Sequence, residues 1–329
     1  MEFILWNREE FDRVYNCTGI NFIMEFILWN REEFDRVYNC TGINVDDIPI
    51  EQRRYPIAAI ICIILGCIYY PLYFPCIYSF WKNRAKNPCY ILLIYLSILD
   101  ICTLWGPTFA HGFFSLNGVV YCSSPKLTYF VGTAYLFLWA AECSADLILG
   151  INRCIEMAFP NISKKLFHNN RIYIWIIFCT LYGIYWLLFR HPYIFNGITF
   201  QVLFDPLIGY KPFRIELFQE DLKEFTIHNT ILAIGSPVIY FTFSLCFFFK
   251  ARELINVVSK EEKMVFIQVF IVSMFNTSAG FPPVIYLTLN KTVRTDTKIL
   301  FGKLFTSFKT NRNNRVSTLA GYTNNNQIE

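Results

Sequence analysis

Three ionisable residues, Glu142, Asp146 and Arg153, stand inside or at the edge of a long apolar run, KLTYFVGTAYLFLWAAECSADLILGINRCIEM at Lys126–Met157. Their spacings of four and seven residues put all three on one face of a helix. The run is long enough to cross a bilayer, since about 20 helical residues span the hydrocarbon. An ionised group facing lipid costs roughly 2.5–3.5 kcal/mol on insertion scales, so that face points into a bundle of other spans. Buried charges of this kind exchange protons, hold cations or trade ion-pair partners. The four histidines, His111, His168, His191 and His228, stand apart in the sequence and no CxxC pair occurs. A membrane enzyme would need clustered histidines or a nucleophile beside a base.

The elements that must position these residues are legible in the composition. The chain is 54% hydrophobic and 16% charged, with the charges clustered between apolar blocks, which is a membrane pattern. Most of the twelve cysteines lie inside apolar runs, where cysteine behaves as a small hydrophobe.

Taken in order, residues 1–55 form a leader in which MEFILWNREEFDRVYNCTGIN occurs twice, over residues 1–23 and 24–45. The near-exact copy reads as a duplicated exon or a gene-model error with Met24 as the true start, and it is too short for a solenoid. Each copy carries an Asn-Cys-Thr sequon, at Asn16 and Asn39, usable only outside the cell. The transmembrane bundle occupies 56–290, with spans expected at about Ile57–Phe80, Tyr90–Phe114, Lys126–Met157, Ile172–Phe189, Ile231–Phe249 and Val265–Leu289. Pro71, Pro75 and Pro237 lie inside spans. The polar tail, 291–329, contains TKILFGKLFTSFK, a candidate amphipathic helix with Ile299, Leu300, Leu304, Phe305 and Phe308 against lipid.

Basic residues in short loops mark the cytoplasmic side. The loops after the first, third and fifth spans are basic, so the leader is extracellular. Six spans would then put the basic tail outside, and a final run of about 25 residues is too short for two crossings. Either the tail breaks the charge rule or one crossing is missing from the sequence, and the second is the expectation.

An outer leader, Asp100 in the second span and Arg153 closing the third together resemble the seven-helix G-protein-coupled receptor architecture. More narrowly, the chain resembles the nematode serpentine receptor class T family of chemoreceptor-like proteins. The resemblance lies in NPCYILLIYLSILD (Asn87–Asp100), GINRCIE (Gly150–Glu156), FDPLIG (Phe204–Gly209), FIQ (Phe266–Gln268) and GFPPVIYLTLNKTVR (Gly280–Arg294). It covers roughly Val45–Arg294. The fold it implies is an all-α multi-pass membrane protein, a seven-helix bundle lacking part of helices 6 and 7 at about Asn276–Ser278, so that six spans are legible.

The resemblance also implies roles. Asn152, Arg153 and Cys154 stand where the superfamily has Asp-Arg-Tyr, and Pro283 and Tyr286 match the Asn-Pro-x-x-Tyr segment with Pro282 replacing the Asn. These five residues are the implied switch for coupling to a heterotrimeric G protein. Asn152 in place of an acid removes the local ion-pair partner of Arg153. Asp100 and Glu142 both lie roughly 16 Å from the cytoplasmic boundary at 1.5 Å per residue. With the second and third spans implied to be neighbours, they share a proton or a sodium ion, or else each is a protonated carboxyl bonded to backbone or hydroxyl. His111, Tyr129, Tyr135, Trp139 and Trp186 in the outer halves are candidates for a small-molecule cavity, against the plainer reading of packing. The family's usual cysteine link is unavailable, because the second outer loop has no cysteine. Cys122 is left with Cys40 or Cys17 as partner, or as a free thiol. The expected partners are the lipid bilayer, a G protein and an unidentified ligand, with no nucleic acid, at the plasma membrane. A transporter, which would show paired half-sequences, and a non-signalling product of a damaged gene are the competing readings.

Overall fold

The computed structural model describes residues 31–85, 87–253 and 281–307. Residues 265–280 of the expected sixth span, with FIQ at Phe266–Gln268 and the proposed deletion point, lie outside the described residues, as do Cys17, Asn16 and Phe308. Five helices among the described residues are long and apolar enough to cross a membrane, and the protein is a multi-pass helical membrane protein. A short helix α1 (Arg31–Val37) precedes the bundle. The first span is α2 (Pro56–Asn83), which continues through Pro71 and Pro75. The second is α3 (Cys89–Trp105), a π-helical turn at Gly106–Ala110 and α4 (His111–Leu116). The third is α5 (Pro125–Ala158), followed by the short α6 (Pro160–Phe167) and the fourth span, α7 (Arg171–Phe189). An antiparallel hairpin, β1 (Ile194–Asn196) and β2 (Gln201–Leu203), interrupts the otherwise helical chain. The fifth span is α8 (Gln219–Glu253); α9 (Phe281–Leu289) and a helical stretch over residues 291–307, α10, follow.

The first four spans form where apolar runs require them. Once inside hydrocarbon, every backbone group must be satisfied within the segment. Pro107 explains the π turn: it lacks an N–H and its ring crowds the preceding turn, so the helix widens by one residue. The fifth helix corrects the sequence reading, which began it at Ile231. It starts about three turns earlier, with Glu220 and Asp221 in the first turn, where acids complement the helix dipole. This charged extension stands outside the apolar layer, so hydropathy alone assigns it to a loop.

The helices approach closely where side chains are small. A Cβ on Gly183 of α7 would meet the Phe137 carbonyl oxygen of α5 at 2.8 Å, so these two helices pack backbone to backbone. One buried cluster, including Cys76, Phe80, Leu92, Leu96, Ala141, Ala145, Cys179 and Tyr286, fills the bundle towards the Arg153 end. A second, including Phe34, Val37, Tyr38, Tyr121, Tyr129, Ile194, Phe204 and Phe218, fills a cap at the opposite, hairpin end.

The cap is stitched from three segments distant in sequence. Cys40 and Cys122 form a disulfide. Asp205, fully buried, accepts hydrogen bonds from Arg214 Nη2 at 2.6 Å, Arg214 Nε at 3.0 Å and the Leu207 N–H at 3.1 Å. Arg214 Nη1 also donates to the Val37 carbonyl at 2.7 Å, tying the leader to the hairpin loop. His191 Nδ1 pairs with Asp221 Oδ2 at 2.7 Å, and Arg190 pairs with Glu224, anchoring the early turns of α8.

At the other end, Asp296 of α10 is 5% exposed and is held by α2. Ser79 Oγ and Asn83 Nδ2 each donate to its Oδ2 at 2.9 Å, and Lys82 Nζ lies 2.5 Å from Oδ1. Beside this contact Cys76 Sγ reaches the Pro283 carbonyl at 3.7 Å, and Tyr286 meets Phe80 edge to face at 5.1 Å. The tail therefore starts at the same end of the bundle as Arg153.

Two outcomes follow. The disulfide closes a separation of 82 residues, for which chain entropy sets an upper bound of about 4–5 kcal/mol. Cys40→Ser should lower the unfolding temperature in a detergent thermal-shift assay by several degrees, and Cys40→Ser with Cys122→Ser should be no worse than either single change. Additive losses would mean that the thiols act separately. For Asp296, burial raises its pKa, but the hydrogen bonds and charge of Lys82, Ser79 and Asn83 outweigh this and hold it below 3.8. A carboxyl depressed in the folded state stabilises above its ordinary pKa and loses that contribution as the pH falls through the lowered value. Docking of α10 should thus be intact at pH 5–8. Asp296→Ala should speed limited proteolysis of the tail across that range, and an unchanged cleavage rate would show that this contact does not hold the tail.

Candidate functional site

The intramembrane carboxyls are drawn together by α3 and α5. Asp100, Glu142 and Asp146 are all buried, at 3%, 8% and 7% exposure. Asp100 and Glu142 lie within hydrogen-bonding reach of each other, and Tyr73 Oη of α2 donates to Asp100 Oδ2 at 3.0 Å. Asp146 also senses the Asp100 charge, from one helical turn further towards the Arg153 end. Glu142 Oε2 and Thr103 Oγ1 are buried without a hydrogen bond of normal geometry, although the two side chains are close enough to interact. Among the described residues no three His, Cys, Asp or Glu side chains converge as ligands for a metal ion. The site offers one pair of facing carboxyls with a tyrosine donor.

Eleven residues beyond Glu142 on α5, Arg153 sits at the end of the bundle where α10 docks. Its Nη1 pairs with Glu156 Oε2 at 3.3 Å, one turn along the same helix. The other oxygen of Glu156 accepts from Asn87 Nδ2 at 3.0 Å, at the start of α3. This corrects the expectation that Asn152 deprives Arg153 of a local partner. The acid lies three residues after the arginine instead of one before it, a spacing that also faces along a helix. Cys89, Tyr90 and Tyr286 stand around the guanidinium closely enough to interact with it electrostatically. Asn152 is buried, and Cys154 Sγ lies 3.1 Å from the Ile239 carbonyl of α8. Asn152, Arg153, Cys154, Pro283 and Tyr286 thus share one end of the bundle.

The five aromatic candidates for a ligand cavity do not share one place. Tyr129 belongs to the cap, 5.0 Å from Phe34 and 5.3 Å from Tyr38 by ring centroids. His111 stacks on Phe195 of the hairpin at 4.9 Å and meets Tyr135 at 6.1 Å. Trp139 and Trp186 meet at 6.1 Å between α5 and α7. They enclose His228 of α8, whose ring lies 4.5 Å from Trp139 and whose Nδ1 is 2.7 Å from Tyr182 Oη. Sequence reasoning missed His228, because the polar extension of α8 reads as loop. It also missed the buried pairs His191–Asp221 and Arg214–Asp205. The signal for the second was present, since Asp205 lies in the quoted FDPLIG stretch. Asn39 is exposed, with its Oδ1 accepting from the Thr41 N–H at 2.6 Å, so the sequon side chain is accessible at the hairpin end.

Comparison with known proteins places the chain in a family. The chain is 24% identical over 236 residues to serpentine receptor class T-55 of Caenorhabditis elegans, a match that covers 62% of this chain and 63% of that receptor. The chain therefore aligns with less than two thirds of the length of its relative. The profile of the family described as serpentine type 7TM GPCR chemoreceptor Srt matches residues 22–281, which take in the second copy of the leader repeat, all five described spans and the Arg153 end. With most of its length matched, the chain belongs to the serpentine Srt family of seven-transmembrane chemoreceptors.

Proposed function

We propose that this protein is a chemosensory-type receptor that couples an extracellular small molecule to a cytoplasmic heterotrimeric G protein. The hairpin cap faces outward, and the Arg153 end, with its basic loops and tail, faces the cytoplasm. The observation that carries the reading is the junction at Arg153. A single cation, paired with Glu156 on its own helix and flanked by Tyr90 and Tyr286, stands where α3, α5 and α9 converge. Glu156 is tied through Asn87 to the start of α3. A relative shift of those helices would release Arg153 to new partners and expose it at the cytoplasmic face, which is a two-state element of the kind that switches use.

Deeper in the bundle, Asp100 and Glu142 would hold one proton between them, since two facing carboxyls cannot both ionise cheaply in a dry interior. A sodium ion is the alternative occupant, with Tyr73 and Thr103 as neutral oxygens beside the pair. Ligand recognition is assigned to the aromatic groups around His228 and His111, between the cap and the carboxyl pair.

Sidedness and switching are separable in experiment. Asn39 should be glycosylated in intact cells, Asn161 and Asn290 should not, and an epitope tag after Glu329 should become accessible only on permeabilisation. Glycans on Asn161 would invert the topology and remove the receptor reading. In cells expressing the full chain, Glu156→Gln should raise ligand-independent G-protein signalling about two- to fivefold, because a partly exposed ion pair of this spacing contributes about 0.5–1 kcal/mol. Arg153→Ala should abolish signalling while surface expression persists. Unchanged basal signalling in both variants would show that the Arg153–Glu156 pair carries no switch.

A further inference from the structure

Beside the Arg153–Glu156 pair a cavity of about 120 Å³ opens between the start of α3, the end of α5 and α6. We propose that it holds the headgroup of an aminophospholipid, a primary ammonium joined by a short carbon tether to a phosphodiester, from the adjacent leaflet. Its floor asks for a donor. Asn152 is 3% exposed, and its Oδ1 is buried with no hydrogen-bond partner. The Glu156 carboxylate lines the same cavity and favours a cation there.

The rim asks for an anion. Lys164 and His168 stand exposed at its edge with the Ser163 side chain between α6 and the floor. An ammonium on Asn152 and a phosphate at Lys164 satisfy both ends with one small molecule. A choline headgroup has no N–H for Asn152, and a glycerol headgroup, whose hydroxyls can donate to Asn152, has no cation for Glu156.

The lipid origin rests on α6 and its flank. Phe159, Ile162 and Leu166 recur at helical spacing and are 60%, 47% and 39% exposed, an apolar edge suited to the bilayer boundary. The helix carrying them is fixed in place. Trp175 Nε1 of α7 donates to the Leu166 carbonyl at 3.1 Å, Phe167 stacks on Trp175 at 5.4 Å, and Arg171 donates to the Lys165 carbonyl. The rim of the cavity thus lies beside a lipid-facing edge on a rigid wall.

Native mass spectrometry of the detergent-purified full chain, with dioleoyl phosphatidylethanolamine, phosphatidylcholine and phosphatidylglycerol in turn, tests the site. Phosphatidylethanolamine should bind about fivefold more tightly than phosphatidylcholine, the effect of one added hydrogen bond of about 1 kcal/mol, and more tightly than phosphatidylglycerol, which offers Glu156 no cation. Asn152→Leu should reduce it to the level of phosphatidylcholine. Lys164→Ala, at an exposed position that leaves the fold intact, should weaken all three lipids alike, since each carries the phosphodiester. Equal binding of the three lipids, or a preference that survives Asn152→Leu, overturns the proposal. If Asn152→Leu does not fold, the lipid preference of the unaltered chain and the Lys164→Ala series decide by the same criteria. Soluble phosphoethanolamine that displaces the lipid at equal concentration would assign the cavity to a soluble metabolite and overturn the lipid source.

Discussion

Hydrocarbon offers no water to a buried carboxylate, and the arrangement of this bundle follows from that constraint. Glu142 and Asp146 on α5 have to face other helices, and Asp100 on α3 has to face them back. Once α5 is rotated so, its small residues Ala141 and Ala145 meet the core, and the backbone at Phe137 meets Gly183 of α7. The same rotation carries Arg153, eleven residues further along, to the inner side of the bundle. One helix face thus sets both the acidic pair in the membrane and the cationic junction at its boundary.

Outside the membrane a different chemistry holds the protein together. The cap relies on a disulfide and on charged pairs that are buried with their hydrogen bonds met, as at Asp205 and Arg214. Such pairs contribute modestly to stability when formed, yet removal of one partner is costly because the other charge stays buried. They fix the geometry of the leader against the hairpin loop. The cap covers the bundle with aromatic rings, and Tyr193, Phe204 and Phe225 continue these rings down to Trp139.

The first four spans were legible within a few residues, because apolar length is a direct physical requirement of crossing a membrane. The inward face of α5 was legible too, from the spacing of Glu142, Asp146 and Arg153. What escaped the sequence lies mostly in water, where hydropathy carries no signal. The early turns of α8 are amphipathic only against a cap that does not exist until the chain folds, with Asp221 meeting His191 and Glu224 meeting Arg190. The partner of Arg153 was misread for a different reason. Attention to position 152, where the superfamily carries an acid, hid Glu156, which helical spacing alone would have offered. The five aromatic candidates were grouped by depth alone, and because depth leaves rotation about the helix axis open, they fall into three groups in the structure.

The π turn at Gly106–Ala110 explains part of that dispersal. An extra residue in one turn rotates everything beyond it by about 100° relative to an uninterrupted α-helix. Below the turn, the second span shows the bundle a polar stripe of Asp100 and Thr103; above it, the stripe is His111 and Phe114, set against the hairpin. A single proline thus lets one continuous span serve two neighbours in different directions. It divides the helix into a lower segment matched to the carboxyl pair and an upper segment matched to the cap. The two halves can then change by mutation almost independently, provided that the phase offset between them is kept.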